Sequence, residues 1–248
     1  MTEPPADVRA LSFGQEAASY DANRPRYPRE ALAWVLEAAT RHVLDVADVG
    51  AGTGALTSLL VSDGLHVTAF DADGQMLDQL RRSVPEVTAI VARAESLALD
   101  DASVDMVTVA QAFHWFDPVG ASREFARVLR RGGVVGLFWN LRDDRAPWWA
   151  ALRPIINGPD WERSDGDEAL RELAEVFHNI ERREFPHTIP MSHERIVNLV
   201  GTFSFVRLRD DADAVLEQVR EVLRSHPDTR DRDVIEVPYV TATYRATF

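Results

Sequence analysis

The chain has 248 residues, 46% of them hydrophobic, and 27 basic against 40 acidic side chains give a net charge of −13. That length and apolar content suit one large domain with an insertion, while an acidic chain with no long basic run excludes nucleic acid as its main partner. The absence of cysteine rules out disulfides, thiolate metal sites and cysteine nucleophiles.

The opening MTEPPADVRAL has no basic region leading into an apolar core, so it does not read as a signal peptide. No apolar run approaches the ~20 residues of a membrane span. A cytoplasmic protein with no membrane partner is the expectation; oligomeric state is not readable. The stretch SYDANRPRYP (19–28) carries two prolines and two tyrosines and predicts an ordered loop. A helix is expected at about 29–40, with Leu32, Val35 and Leu36 on one face. From Val43 onward strands and helices alternate. VLDVADVG, HVTAFDAD, EVTAIVA, SVDMVTVAQAF and VVGLFWN read as strands. TGALTSLLVSDG, GQMLDQLRRSV and DPVGASREFARVLRRGG read as helices, the last ended by Gly132 and Gly133 with basic residues in its final turn. This rhythm predicts an α/β fold with a doubly wound, mostly parallel sheet. Beyond Asn140 the rhythm changes. Residues 141–178 read as mainly helical with a turn at NGPDW, IERREFPHTI as a strand, and helices are expected near 192–200 and 210–225. IEVPYVTATYRATF reads as a final strand. The expected organisation is an N-terminal closing segment (1–42), a cofactor-binding core (43–140), a helical substrate-cover region holding one sheet strand (141–230), and the terminal strand of the core sheet (231–248).

The most informative run is VADVGAGTGALTSLL, Val46 to Leu60. Gly50, Ala51, Gly52, Thr53, Gly54 and Ala55 satisfy the dinucleotide pattern G-x-G-x-x-[GA], with Asp71 at the distance where an acidic residue holds ribose hydroxyls. Glycines let the backbone approach a ligand, and the following helix supplies free N–H groups. Asp48 separates the possible ligands. A carboxylate there repels a pyrophosphate and suits an ammonium group.

With its third glycine, this D-x-G-x-G-x-G stretch resembles motif I of the class I methyltransferases that use S-adenosylmethionine. VTAFDADGQML resembles their second-strand motif, ARAESLAL the loop after the third strand, and VDMVTVAQAFHWFD the fourth-strand motif of the type 11 small-molecule branch. YDANRPRYP resembles the segment that closes over the cofactor in that branch. The resemblance covers about 13–140, then TFS at 202–204 and the terminal VPYVTATYRATF. It implies a seven-stranded sheet whose last strand is antiparallel, with S-adenosylmethionine as methyl donor and S-adenosylhomocysteine as product. It implies that Asp71 binds both ribose hydroxyls, Ala72 and Met76 flank the adenine, Ala94 and Glu95 lie near it, and Gln111 and Ala112 lie beside the methionine part. The resemblance reaches relatives of trans-aconitate methyltransferase, which act on carboxylates, and so implies an acidic substrate as one expectation.

Methyl transfer needs alignment of the reacting atoms, worth ~7–11 kcal/mol when good, and aromatic faces suit a sulfonium. Trp115, Trp139, Tyr20 and Tyr27 are candidates for that face, with Phe116 alongside. His114 is the candidate base for a hydroxyl or amine acceptor; a carboxylate needs none. Arg24, Arg26 and Arg29 cluster where an acidic substrate could be held, although cap-locking ion pairs are the competing role. Asn140 and Arg142 are expected past the fifth strand on the substrate side. No metal motif, nucleophile elbow or P-loop lysine occurs. The resemblance to the small-molecule branch implies a small-molecule acceptor as partner. Two other readings stay open: a nucleotide-linked NAD(P) oxidoreductase, and a catalytically silent S-adenosylmethionine-binding subunit.

Overall fold

The computed structural model describes residues 25–143, 145–156, 170–171 and 173–247. Its first half alternates: α1 (Arg29–Leu36), β1 (Asp45–Val49), α2 (Thr57–Ser62), β2 (His66–Asp71), α3 (Gly74–Ser83), β3 (Thr88–Val91), β4 (Val104–Ala110), α4 (Pro118–Val128) and β5 (Leu129–Arg142). There follow α5 (Pro147–Ile156), β6 (His178–Ser192), α6 (His193–Gly201), α7 (Ser204–Arg207), α8 (Ala212–Ser225) and β7 (Val234–Thr247). The strands form one sheet of seven in the order β3-β2-β1-β4-β5-β7-β6. β1 to β5 pair in parallel, and β7 runs antiparallel to both of its neighbours.

Helices cover both faces, so the central strands are apolar throughout. β4 is buried from Val104 to Val109. On one face α1, α2 and α3 bring Leu32, Leu60, Leu77 and Leu80 against Val46, Ala69, Met106 and Phe138. On the other, α4 packs Ala121, Phe125 and Val128 against Val107, Val109, Val135 and Leu137. β5 alternates between the two, with Val134 and Phe138 on the first face and Val135, Leu137 and Trp139 on the second. A third core joins α5, α6 and α8 to one end of β6 and β7 through Leu152, Ile196, Leu199, Val219, Met191 and Val237.

Some boundaries differ from the sequence reading. The fourth helix stops at Val128, and Leu129 already pairs with Val104. Arg130 therefore does not sit on the last turn of a helix. Its guanidinium lies 2.8 Å from Asp45 and 3.0 Å from Asp105, and these carboxylates outcompete a helix end. The first helix also ends early, at Leu36, and α2 begins only at Thr57, after a succession of turns. Leu141 and Arg142 belong to β5, not to a helical stretch, and Asn140 lies within that strand. The NGPDW turn falls outside the described residues.

Strand order reverses between β1 and β4. Loops leaving their C-terminal ends diverge to opposite sides, and the resulting crevice is where open α/β sheets bind ligands. Among the described residues no helix is long and apolar enough to cross a membrane, and no group of three or more His, Asp or Glu could hold a metal.

Candidate active site

The turn after β1 is built on left-handed glycines. Gly50, Gly52 and Gly54 have φ of 68°, 56° and 93°. A Cβ on Gly50 would stand 2.4 Å from Cβ of Ala112 and 3.1 Å from the Phe116 ring. The loops after β1 and β4 thus touch where any other residue would separate them. The Ala51 N–H donates to the Phe70 carbonyl at 2.9 Å and ties the turn to β2.

Beneath this turn lies Asp48. It is buried, and its two oxygens accept the hydroxyls of Thr57 at 2.6 Å and Thr108 at 2.9 Å. Burial pushes its pKa up to about 6, against the two hydroxyl bonds that pull it down. The sequence reading sets Asp48 at a ligand's ammonium group; in the structure this carboxylate lies behind the turn. It is not on the wall of the cleft, and each of its oxygens accepts one threonine hydroxyl, which fastens α2 and β4 to β1. Gly54 is also off the wall. The position of its missing Cβ lies 3.1 Å from Leu80, so this glycine serves helix packing.

A cleft of about 230 Å³ opens over the ends of β1, β2 and β4. Gly50, Ala51, Gly52, Thr53, Asp71, Ala72, Met76, Ala94, Glu95, Gln111, Ala112, Tyr27, Trp115 and Asn140 line it together. Asp71 is fixed by the N–H of Gly52 at 2.9 Å and of Asp73 at 2.8 Å. Burial raises its pKa, and those N–H bonds moderate the rise. Each of its oxygens keeps a further lone pair for a ligand hydroxyl. Gln111 holds the left-handed region at φ 57°, costly for a side chain of its size and typical of binding sites. It is locked by its N–H to the Phe138 carbonyl and by Nε2 to the Asn140 carbonyl, both at 2.9 Å. Glu95 accepts the Asp117 N–H at 2.9 Å and lies 3.3 Å from Arg93 Nε.

Other sequence candidates go elsewhere. Trp139 points into the core behind the sheet, edge-on to Tyr244 at 5.5 Å, because β5 alternates and its even-numbered neighbours Phe138 and Asn140 face the other way. His114 is exposed beside Trp115, ring centroids 4.7 Å apart, and is not on the cleft wall. The Arg26 guanidinium donates to Ser58 at 3.2 Å, and Arg29 pairs with Asp63, so both reach α2 and its end rather than the cleft. Arg142 lies over the Phe203 ring at 4.8 Å. Tyr20 and Arg24 fall outside the described residues.

A family model described as a methyltransferase domain matches residues 47–137. An uncharacterized methyltransferase of Mycobacterium tuberculosis is 42% identical over 247 residues, covering 96% of each chain. The chain belongs to the S-adenosylmethionine-dependent methyltransferase family. A malonyl-[acyl-carrier protein] O-methyltransferase of Enterobacter lignolyticus is 31% identical over 67% of this chain and 68% of its own length. Among solved structures, a protein assigned as a type II methyltransferase in Anaeromyxobacter dehalogenans aligns with a TM-score of 0.70 and 28% identity over 90% of this chain and 97% of that one.

Several wall residues of this methyltransferase escape the sequence reading, Pro25 and Arg93 among them. Pro25 lines the cleft from the leading segment, and Arg93 from the loop after β3. Pro25 sits inside the RPRYP stretch that the methyltransferase shares with its family resemblance, so a signal existed. Arg93 had only its place beside Ala94 and Glu95.

Proposed function

We propose that the cleft binds S-adenosylmethionine and that the chain transfers its methyl group to a small-molecule oxygen acceptor. The observation that carries this reading is the Asp71 carboxylate, clamped by two N–H groups with lone pairs left facing a glycine-walled cleft. In this reading Asp71 takes both ribose hydroxyls. Ala72 and Met76 hold the adenine from one side, with Ala94 and Glu95 nearby. Gly50, Gly52 and Gln111 receive the amino-acid end, over the buried charge of Asp48. When bound, the cofactor supplies a methyl group on a cationic sulfur. The chain contributes orientation, aromatic surface from Tyr27 and Trp115, and exclusion of water. Residues 141–230 act as the substrate cover.

A carboxylate acceptor agrees best with His114 standing off the wall, since an ionised oxygen needs no base. The relative that methylates malonyl-[acyl-carrier protein] on oxygen supports the same class of acceptor. Calorimetry with S-adenosylhomocysteine and with NAD tests the cofactor, and labelled methyl transfer to a pool of carboxylic acids tests the acceptor. Binding of S-adenosylhomocysteine alone, with label recovered as methyl ester, is expected. NAD binding, or tight cofactor binding with no labelled product from any acceptor, overturns the reading.

A further inference from the structure

Asn140 lies on the cleft wall, yet its polar atoms face the protein. Its Nδ2 donates to two main-chain carbonyls, those of Pro25 at 3.2 Å and Arg26 at 3.3 Å. Its Oδ1 accepts the hydroxyl of Thr241, fully buried on β7, at 2.6 Å. Its own carbonyl accepts Gln111 Nε2. A carbonyl can only accept, so the orientation of the amide is fixed by its surroundings. One residue thus joins four parts of the chain: the leading segment, the centre of the sheet, the terminal strand, and the strained corner after β4. The leading segment carries Pro25 and Tyr27, which form part of the cleft wall.

We propose that Asn140 is a positioning residue, a latch that holds residues 25–28 against the sheet and so sets the shape of the cleft. It acts on bound ligand through Pro25 and Tyr27 rather than by touching it. Thr241 orients the amide from behind. The consequence for ligand affinity rests on the proposed cofactor site, whereas the latch itself can be tested without a ligand.

Hydrogen exchange of the full ligand-free chain is the decisive measurement, comparing wild type with Asn140→Ala, Asn140→Asp and Thr241→Val. Exchange in the peptide spanning residues 25–35 is expected to quicken at least tenfold in both Asn140 variants, with β4 and β1 still protected. Asp is the sharper test, because it keeps the shape and the Thr241 contact but sets a carboxylate against two carbonyls. Thr241→Val, which leaves the two carbonyl contacts in place, is expected to give a smaller increase in the same peptide. Binding of S-adenosylhomocysteine should weaken about tenfold in the Asn140 variants and less in Thr241→Val. Unchanged exchange over 25–35 overturns the latch; if it comes with lost affinity, Asn140 is instead a ligand contact. Should the Asn140 variants unfold, an unaltered 25–35 peptide in Thr241→Val overturns it equally. Failure of wild type to bind S-adenosylhomocysteine defeats the cofactor reading and leaves the exchange result standing.

Discussion

Sealing a carboxylate under a glycine turn is costly, and Asp48 carries that cost at the working end of the sheet. Its pKa stands at about 6 against 3.8 for an ordinary aspartate. Between those values the folded chain holds a proton that the unfolded chain has released. Stability therefore falls as pH rises through this window and is level above it. At neutral pH the penalty is of order 3 kcal/mol. Asp48→Asn, which can keep a hydrogen bond to a threonine hydroxyl, should raise the melting temperature at about pH 8, with the gain shrinking toward about pH 4. A pH-independent gain in calorimetry would sink this account. His114 yields a second prediction. Because it stands off the wall, His114→Ala should keep turnover within about threefold of wild type, whereas a general base contributes on the order of 100-fold or more; a tenfold loss together with an altered pH–rate profile would restore it as the base. Asp71 and the glycines were legible because their spacing is set by the backbone they shape, and Gln111 only through the family resemblance. Asp48 was legible as a position but not as an environment. Whether a carboxylate meets a ligand or two hydroxyls depends on Thr57 and on Thr108, the latter 60 residues away.

The elements follow from apolar pattern, and their limits follow from contacts the pattern does not contain. β4 reads as a strand from its own sequence because both of its faces are buried. The end of α4 does not, because Arg130 looks like a helix-terminal cation until Asp45 and Asp105 are brought beside it. Trp139 is the same lesson in a strand, where a one-residue step turns a side chain from the cleft side to the core behind it. Gly136 on β5 sets how closely α1 can approach. A Cβ there would lie 2.8 Å from Cγ1 of Val35. Gly136→Ala is expected to destabilise the fold by about 1–3 kcal/mol through overpacking. Adding Val35→Ala should recover part of the loss, so a double-mutant cycle by urea unfolding should give favourable coupling. Strict additivity would show that the helix shifts freely.

Across the whole molecule, the cleft and the ion-paired cluster around Asp105 occupy opposite ends of the parallel strands. The cleft sits at the C-terminal ends. At the other end Asp105 accepts the N–H groups of Leu44 and Asp45, each at 3.0 Å, with Arg130 at 3.0 Å and Arg41 at 2.8 Å. Burial raises the pKa of Asp105, but the Asp45 N–H, Arg130 and the Leu44 N–H outweigh it and hold the carboxyl below its usual range. That stability is present above the ordinary aspartate pKa and is lost as pH falls below it. Arg130→Met should cost about 1–3 kcal/mol at about pH 7, and the cost should shrink as pH falls below the ordinary aspartate range, by urea unfolding. Affinity for S-adenosylhomocysteine should not change. A cost that does not change with pH, or weakened binding, would count against this separation of ends. The doubly wound plan was legible in the sequence because βα alternation is local. The third core was not, since α5, α6 and α8 meet one another and the ends of β6 and β7 across long stretches of sequence.

The seating of β7 has a consequence for how the molecule is made. It lies between β5 and β6, both of which precede it in the chain. Until residues 234–247 take their place, β6 lacks the strand it pairs with and β5 lacks its antiparallel neighbour. Seating β7 therefore joins β5 to β6 and also sets Thr241 against Asn140, whose amide holds the carbonyls of Pro25 and Arg26.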